Sequence, residues 1–363
     1  MSINRDNVDK LSLPTSKLYA DAERALITNL AAGISDDVRG DNISARSWMR
    51  IHRFRAAAKA IFTDLTRNAA VTAGRAVADA AQEGAATAHA DIAGLTMIRG
   101  TAPIGPRPPL GTLVRSPAAL IPSLSHMHPH MTASAEQMYR HVINGVLAAQ
   151  SRSEKDRLAL AQRLLDKFAA QGITGFRDKA GRRWSVTHYV EMATRTATAQ
   201  VAISSHLSVL ADHGLDLVKV STVANCSPQC APFQGRLLSV SGNTRGAYDD
   251  NGDSVPVVTS VALARQMGLH HPGCRHHLTV WIPGDPLPEP VPVRPADYAA
   301  TQKLRALERR VRAAKRVHAA AMTPIAATAA NSKVRALQGE IRLHIADTST
   351  PRIRRREQIG VAL

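Results

Sequence analysis

Two short stretches hold the side chains best suited to chemistry. "CSPQC", residues 226–230, carries Cys226 and Cys230, and "HHPGCRHH", residues 270–277, packs four histidines, an arginine and Cys274 into eight positions. Cys226, Cys230, His271 and Cys274 make a Cys₃His set, and four soft or borderline donors suit the tetrahedral preference of zinc. The His-x-x-Cys spacing is good for zinc, whereas Cys-x-x-x-Cys is looser than Cys-x-x-Cys. Zinc here would be structural, pinning a small sheet that has little core of its own.

Other chemistries compete for the same residues. Buried cysteines beside a polar turn, with His271 hydrogen-bonded to backbone, need no metal. A Cys226–Cys230 disulfide would form in an oxidising setting. A nucleophilic Cys274 would need an orienting third group and a cleft, and neither is evident. A metal-dependent nuclease would need carboxylates near the cluster. Asp249, Asp250 and Asp253 lie on the intervening loop, but "YDDNGDS" reads better as a solvated turn. There is no Walker loop, GxGxxG or GxSxG, and no residue is assigned a catalytic role.

Composition narrows the partners. The chain has 363 residues and a formal net charge of +17, which argues for a polyanionic partner, nucleic acid first. Aromatic residues are only 4 % of the chain, so Ala, Leu and Val must do most of the packing, which suits helices. The first residues are charged and lack an apolar stretch, which predicts no signal peptide. No apolar run is long enough for a membrane span. Three cysteines do not make a disulfide framework, which predicts a protein made in a reducing cytoplasm.

The elements that must position these residues follow from the periodicity. The expected fold class is α+β and predominantly helical, with long N-terminal helices, a small β-containing module near 215–284 and a basic helical tail. Residues 1–99 read as an Ala-rich helical region. Residues 100–133 hold seven prolines and read as an extended linker. "HMHPH", 126–130, reads as polar surface at its end. Residues 134–284 form the module: helices at 134–149 and 154–170, a turn-rich "ITGFRDKAGRRWS", and a helix from Val186 ended by Gly214. Strands are expected at 215–221, 236–242 and 277–284, with a short helix, "SVALARQMG", between the last two. A second Pro-rich linker covers 285–297.

The tail, 298–363, is basic. From Arg294 onward it holds 15 Lys and Arg against 5 Asp and Glu. Arg305, Arg309, Arg312 and Arg316 share one helical face, and "RIRRRE" adds Arg352, Arg354, Arg355 and Arg356. Lopsided charge of this kind predicts phosphate contact. Without a stacked-aromatic pattern or a base-reading motif, such binding would be independent of sequence.

Four blocks occur in a telling order: "GITGFRDKAGRRWSVTHYVEMATRTATAQ", "CSPQCAPFQGRLLSVSG", "GLHHPGCRHHLTVWIPG" and "YAATQKLRALERRVRAAKR". They resemble the phage minor capsid proteins of the Mu F-like head morphogenesis family, over about residues 170–320. The family pattern carries over at Cys230, Pro232, Phe233, Gln234 and Gly235, and at His271, Pro272, Cys274 and Arg275. Cys226 is its least regular part. The resemblance implies that the motif folds the small sheet, with Trp184 and Trp281 as core anchors.

It also implies a non-enzymatic particle component at the portal vertex, inside the phage head, assembled in the host cytoplasm. The portal protein and packaged double-stranded DNA would be its partners. Scaffold or major capsid protein would be further contacts, with no membrane in the assembled head. Its work would be assembly, packaging or ejection. A nuclease built on the Cys/His cluster, or a free nucleic-acid-binding protein, are the alternatives.

Overall fold

The computed structural model describes the chain except residues 1–4, 41–42, 100–119, 126, 151–152, 173–175, 178–182, 293 and 360–363. At 5–6, 43–48, 96–99, 123, 129, 132, 176–177 and 183–184 it describes the backbone alone. Most of the described chain is helical, with one small mixed sheet, so the expected α+β, predominantly helical class holds. Among the described residues no helix is long and apolar enough to cross a membrane.

The helices are α1 (Arg5–Leu11), α2 (Leu13–Arg39), α3 (Ile43–Arg99), α4 (Leu120–Ser125), α5 (His128–Ala148), α6 (Glu154–Gln171), α7 (Val186–Asp212), α8 (Val261–Gln266), α9 (Pro295–Ala319) and α10 (Pro324–Thr348). The Ala-rich stretch thus forms one long helix, α3. Helices α4 and α5 occupy chain that proline density had predicted to be extended. Pro129 falls in the first turn of α5, where a missing N–H costs no helical bond. Residues 100–119 of that expected linker lie outside the described residues. His128 is not surface either. It is buried, with Nε2 2.8 Å from the Tyr19 hydroxyl and Nδ1 2.7 Å from the Thr66 hydroxyl.

The chain divides into two compact units. The first comprises Met1–Leu13, Thr72–Leu120 and Met192–Tyr298. It contains β3 (Leu217–Val220), β4 (Leu237–Ser239), β5 (Gly246–Tyr248), β6 (Ser254–Ser260) and β7 (Leu278–Val280), in the order β5-β6-β4-β3-β7. Strand β3 pairs antiparallel with both β4 and β7, placing Val218 opposite Leu238 and Val280. Three of these strands lie where alternation predicted them. The β5–β6 hairpin around "YDDNGDS" was not anticipated, because two short strands flank a turn that dominates the local composition. Asp249 Oδ1 accepts from the backbone N–H groups of Asn251 and Asp253 and closes that turn.

One face of the sheet joins the core of this unit, which gathers Ala88 of α3, Leu207 of α7, Val218, Leu238, Phe233 and all three cysteines. The other face holds Trp281 over Leu237 and Ala247. Small residues let α3 and α7 approach closely. A Cβ at Gly84 would lie 2.1 Å from the Ala202 carbonyl oxygen. Beside it, the Ser205 hydroxyl donates to the Ala81 carbonyl at 2.8 Å, and buried His206 meets Asp91 at 3.0 Å. These polar ties fix the register of an Ala-rich contact that has few large side chains to interlock.

The second unit comprises Pro14–Val71, Ile121–Glu191 and Ala299–Leu363. Buried Leu26, Ile27, Leu30 and Ile34 line one stripe of α2, while Met131, Tyr139, Val142 and Val146 line one of α5. The backbones of β1 (Phe176–Arg177) and β2 (Arg183–Trp184) pair as a hairpin within the turn-rich segment. The tail is a helical hairpin, in which Leu304, Leu307 and Val311 of α9 pack on Val334, Leu337 and Ile341 of α10.

Because Gly84 touches backbone rather than a movable side chain, Gly84→Ala should destabilise the protein by about 2 kcal/mol or more. Gly94→Ala, at a helical position with nothing within 4 Å of the added Cβ, should be neutral or stabilising by up to about 1 kcal/mol. Chemical denaturation of both variants checks the contrast.

Candidate metal centre

Two proline turns build the site. In "HPGC", Pro272 takes the second position of a β-turn and Gly273, at φ 86°, the third, closed by a 2.8 Å bond from Cys274 N–H to the His271 carbonyl. This is the Pro-Gly chemistry of a type II turn, and it sets the first and fourth residues side by side. In "SPQC", Cys230 N–H bonds the Ser227 carbonyl at 3.0 Å, and Pro228 again takes the second position. The two turns meet at the end of the sheet.

There Cys230, His271 and Cys274 present one ligand atom each, all within 4.8 Å of one another. This Cys/His group can hold a metal ion. The Cys230 and Cys274 sulfurs are 3.5 Å apart. His271 Nδ1 bonds the Pro272 carbonyl at 2.9 Å, and its Nε2 is buried without a hydrogen-bond partner. A ligating imidazole is held in just this way, one nitrogen on a carbonyl and the other turned to the ion. Two sulfurs and an orphaned imidazole nitrogen therefore fit zinc.

Cys226, the fourth residue of the expected set, stands outside that group of three. Its sulfur is 3.2 Å from the Ser227 carbonyl oxygen and 3.6 Å from His276 Nε2. His276 was not singled out by the sequence, although it lies two residues past Cys274. It is buried, and its Nδ1 lies 3.4 Å from the Cys274 sulfur. Hydrogen bonding with Cys230 and His276 holds the Cys274 thiol well below the usual range, while the contact with Cys274 and burial raise the Cys230 thiol. Burial pushes the Cys226 thiol up to about 11. All three cysteines are free. No carboxylate belongs to the metal-capable group among the described residues.

The neighbouring motif residues support these turns. Phe233 is buried in the core behind the cysteines. Gln234 is 1 % exposed; its Oε1 accepts from Val223 N–H at 2.8 Å and its Nε2 donates to the Val291 carbonyl at 3.1 Å. Gly235 has φ 67°, and a Cβ there would lie 2.2 Å from the Pro288 carbonyl oxygen. The Pro-rich segment after the sheet is thus clamped along it, with Lys219 bonded to the Pro286 carbonyl. Trp281 donates to the Asp285 carbonyl at 2.8 Å. Pro272 and Arg275 are exposed. The side chain of Trp184 lies outside the described residues.

The basic residues divide into two kinds. Arg316 is buried, and its guanidinium donates to the Ala169 and Ala170 carbonyls at 2.9 and 2.8 Å. It thereby caps the end of α6, adding to the Gly172 N–H that already reaches the Ala169 carbonyl. Arg312 bonds the Arg356 carbonyl and, at 3.3 Å, His188 Nδ1. Arg352 forks onto Glu357 at 2.7 and 2.9 Å. Burial pushes the Glu357 carboxyl up, but Arg352 and Gln338 outweigh it and hold it below the usual carboxylate range. Glu308, also buried, is raised by that burial against the pull of Arg356, Arg312 and Arg305. Arg309 and Arg354 are exposed, and Arg305, Arg355 and Arg356 are half-buried. Much of the expected phosphate face therefore solvates buried glutamates and a helix end.

Arg316→Ala removes two charged-donor bonds, leaving the Ala169 carbonyl with only the Gly172 N–H and the half-buried Ala170 carbonyl without its guanidinium, and should cost about 1–3 kcal/mol in chemical denaturation. Arg309→Ala, at an exposed position, should change stability by less than about 0.5 kcal/mol.

Comparison with known proteins agrees with the resemblance read from the sequence blocks. The profile of a family described as phage minor capsid protein 2 matches residues 3–346. No curated protein and no solved structure matches the chain. With nearly its whole length covered, the chain belongs to the phage minor capsid protein 2 family and is a phage head protein.

Proposed function

We propose that the protein is a low-copy component of the portal vertex, facing the interior of the head and touching packaged double-stranded DNA without sequence preference. The observation that carries this reading is the net charge of +17 in a capsid-family chain. A strongly cationic protein enclosed with DNA finds phosphates as its most abundant counter-charge. The exposed Arg309 and Arg354 are the phosphate contacts, joined by half-buried Arg305, Arg355 and Arg356; Arg312, Arg316 and Arg352 serve the fold. The portal protein is the principal partner, with scaffold or major capsid protein as further contacts during assembly in the host cytoplasm. The role is structural, in assembly, packaging or ejection.

In the same proposal a structural zinc ion ties the two proline turns together at Cys230, His271 and Cys274. The ion would neutralise the thiolates and lock two loops that join short strands of the sheet. The surrounding residues do the positioning: the Pro272 carbonyl orients His271, and Phe233 backs the cysteine loop.

Quantitative mass spectrometry of purified, nuclease-treated particles should find the chain at a few copies per portal ring; absence from both procapsids and mature heads sinks the portal reading. For the isolated protein, the slope of log affinity for duplex DNA against log salt should fall by about 2 when Arg309 and Arg354 are both changed to Ala, equally for any sequence. Elemental analysis should find one zinc per chain. His271→Asn should weaken zinc binding by more than the roughly 10–100-fold typical of an outer-shell change.

A further inference from the structure

The distances at the two turns do not treat the three cysteines alike. Cys230, Cys274 and His271 converge, whereas Cys226 is held by Ser227 and His276. His276 has both ring nitrogens on sulfur, Nδ1 at 3.4 Å from Cys274 and Nε2 at 3.6 Å from Cys226. It has no nitrogen left for an ion. Cys226 gives its one S–H to the Ser227 carbonyl at 3.2 Å, so it stands there as a thiol.

The remaining side of the cluster is open. A small cavity abuts Cys274 and His271 and is lined further by Thr196, Gln200, His270 and Gly273. Gln200 and Thr196 project from α7, and His270 adopts a left-handed φ of 59° at the start of the turn. Zinc with three protein ligands keeps its fourth position for an exchangeable ligand, and two thiolates with one imidazole form such a set.

We propose that the ion is held by Cys230, His271 and Cys274 only, with its fourth position open to this cavity for a water molecule or small anion, and with Cys226 kept outside as a thiol on the His276 bridge. This rests on the metal reading above, and makes the three-residue site one that can exchange a ligand rather than the closed Cys₃His knot expected from the sequence. His276 is a positioning residue, acting on the ion through the Cys274 sulfur.

The test uses the full chain loaded with cobalt(II), and zinc absorption-edge spectroscopy on the unmodified protein. The expected zinc spectrum counts two sulfur scatterers, and cobalt shows thiolate charge transfer of two-sulfur intensity. Cys226→Ser should leave this intensity unchanged and the cobalt affinity within about 3-fold, whereas Cys230→Ser and Cys274→Ser should each lower affinity at least about 10-fold. Thiocyanate should shift the cobalt d–d bands saturably in both the wild type and Cys226→Ser. Three sulfurs at the zinc edge, or d–d bands that ignore thiocyanate, overturn the open site while leaving the metal reading intact. Failure to retain either ion overturns both. Because the sulfur count needs no variant, a Cys226→Ser chain that fails to fold does not weaken the test.

Discussion

The meeting of Cys230 and Cys274, 3.5 Å apart, is the contact on which the β-containing unit turns. Cys230 ends a loop leaving β3, and Cys274 ends the loop that leads into β7. Strand β3 lies between β4 and β7, so both of its neighbours are reached through these loops. Strands of three or four residues have little pairing energy of their own. Joining the loops over Phe233 sets the angle at which β7 returns, and with it the burial of Val280 on one face and Trp281 on the other. The proposed metal ion would satisfy the orphaned nitrogen of His271 at the edge of this cluster of thiols and imidazoles.

The same economy explains "PFQG". Phe233 faces inward behind the cysteines, Gln234 bridges two backbone strands of chain from a buried position, and Gly235 lets the carbonyl of Pro288 approach. Each residue type follows from one contact. The amide supplies an acceptor and a donor at once, which neither an ionised Glu nor Leu can do. A proline-rich segment with few N–H groups cannot pair as a strand, so it is held by its carbonyls, which accept from Gln234 and Lys219.

Charge is used twice. Arginines at the junction of α6, α9 and the C-terminal turn neutralise Glu357, offset the burial of Glu308 and close the end of a helix, while Arg309 and Arg354 face solvent. A guanidinium reaches two oxygens in a fixed fork, two backbone carbonyls for Arg316 and the Glu357 carboxylate for Arg352, which explains why arginine rather than lysine stands at 316 and 352. Hence the count of basic residues overstates the surface available to DNA, even though the sign of the whole chain does not change.

The sequence alone determined the fold class, the long helices, three strands and the small helix between them, because hydrophobic period and Gly/Pro punctuation are local properties. The ordered blocks were enough to reach the phage minor capsid family, and His271 with Cys274 was legible as a pair because a Pro-Gly turn brings its ends together. Tertiary structure decided the rest. Whether Cys226 or His276 stands nearer the cluster depends on how two loops 40-odd residues apart meet, which no spacing encodes. Helices α4 and α5 form through a proline-rich stretch because proline is tolerated in a first turn, and packing on Tyr19 and Thr66 then buries His128. Which arginines face water depends on where two glutamates are buried, and helical periodicity places charges on a face without saying what covers it.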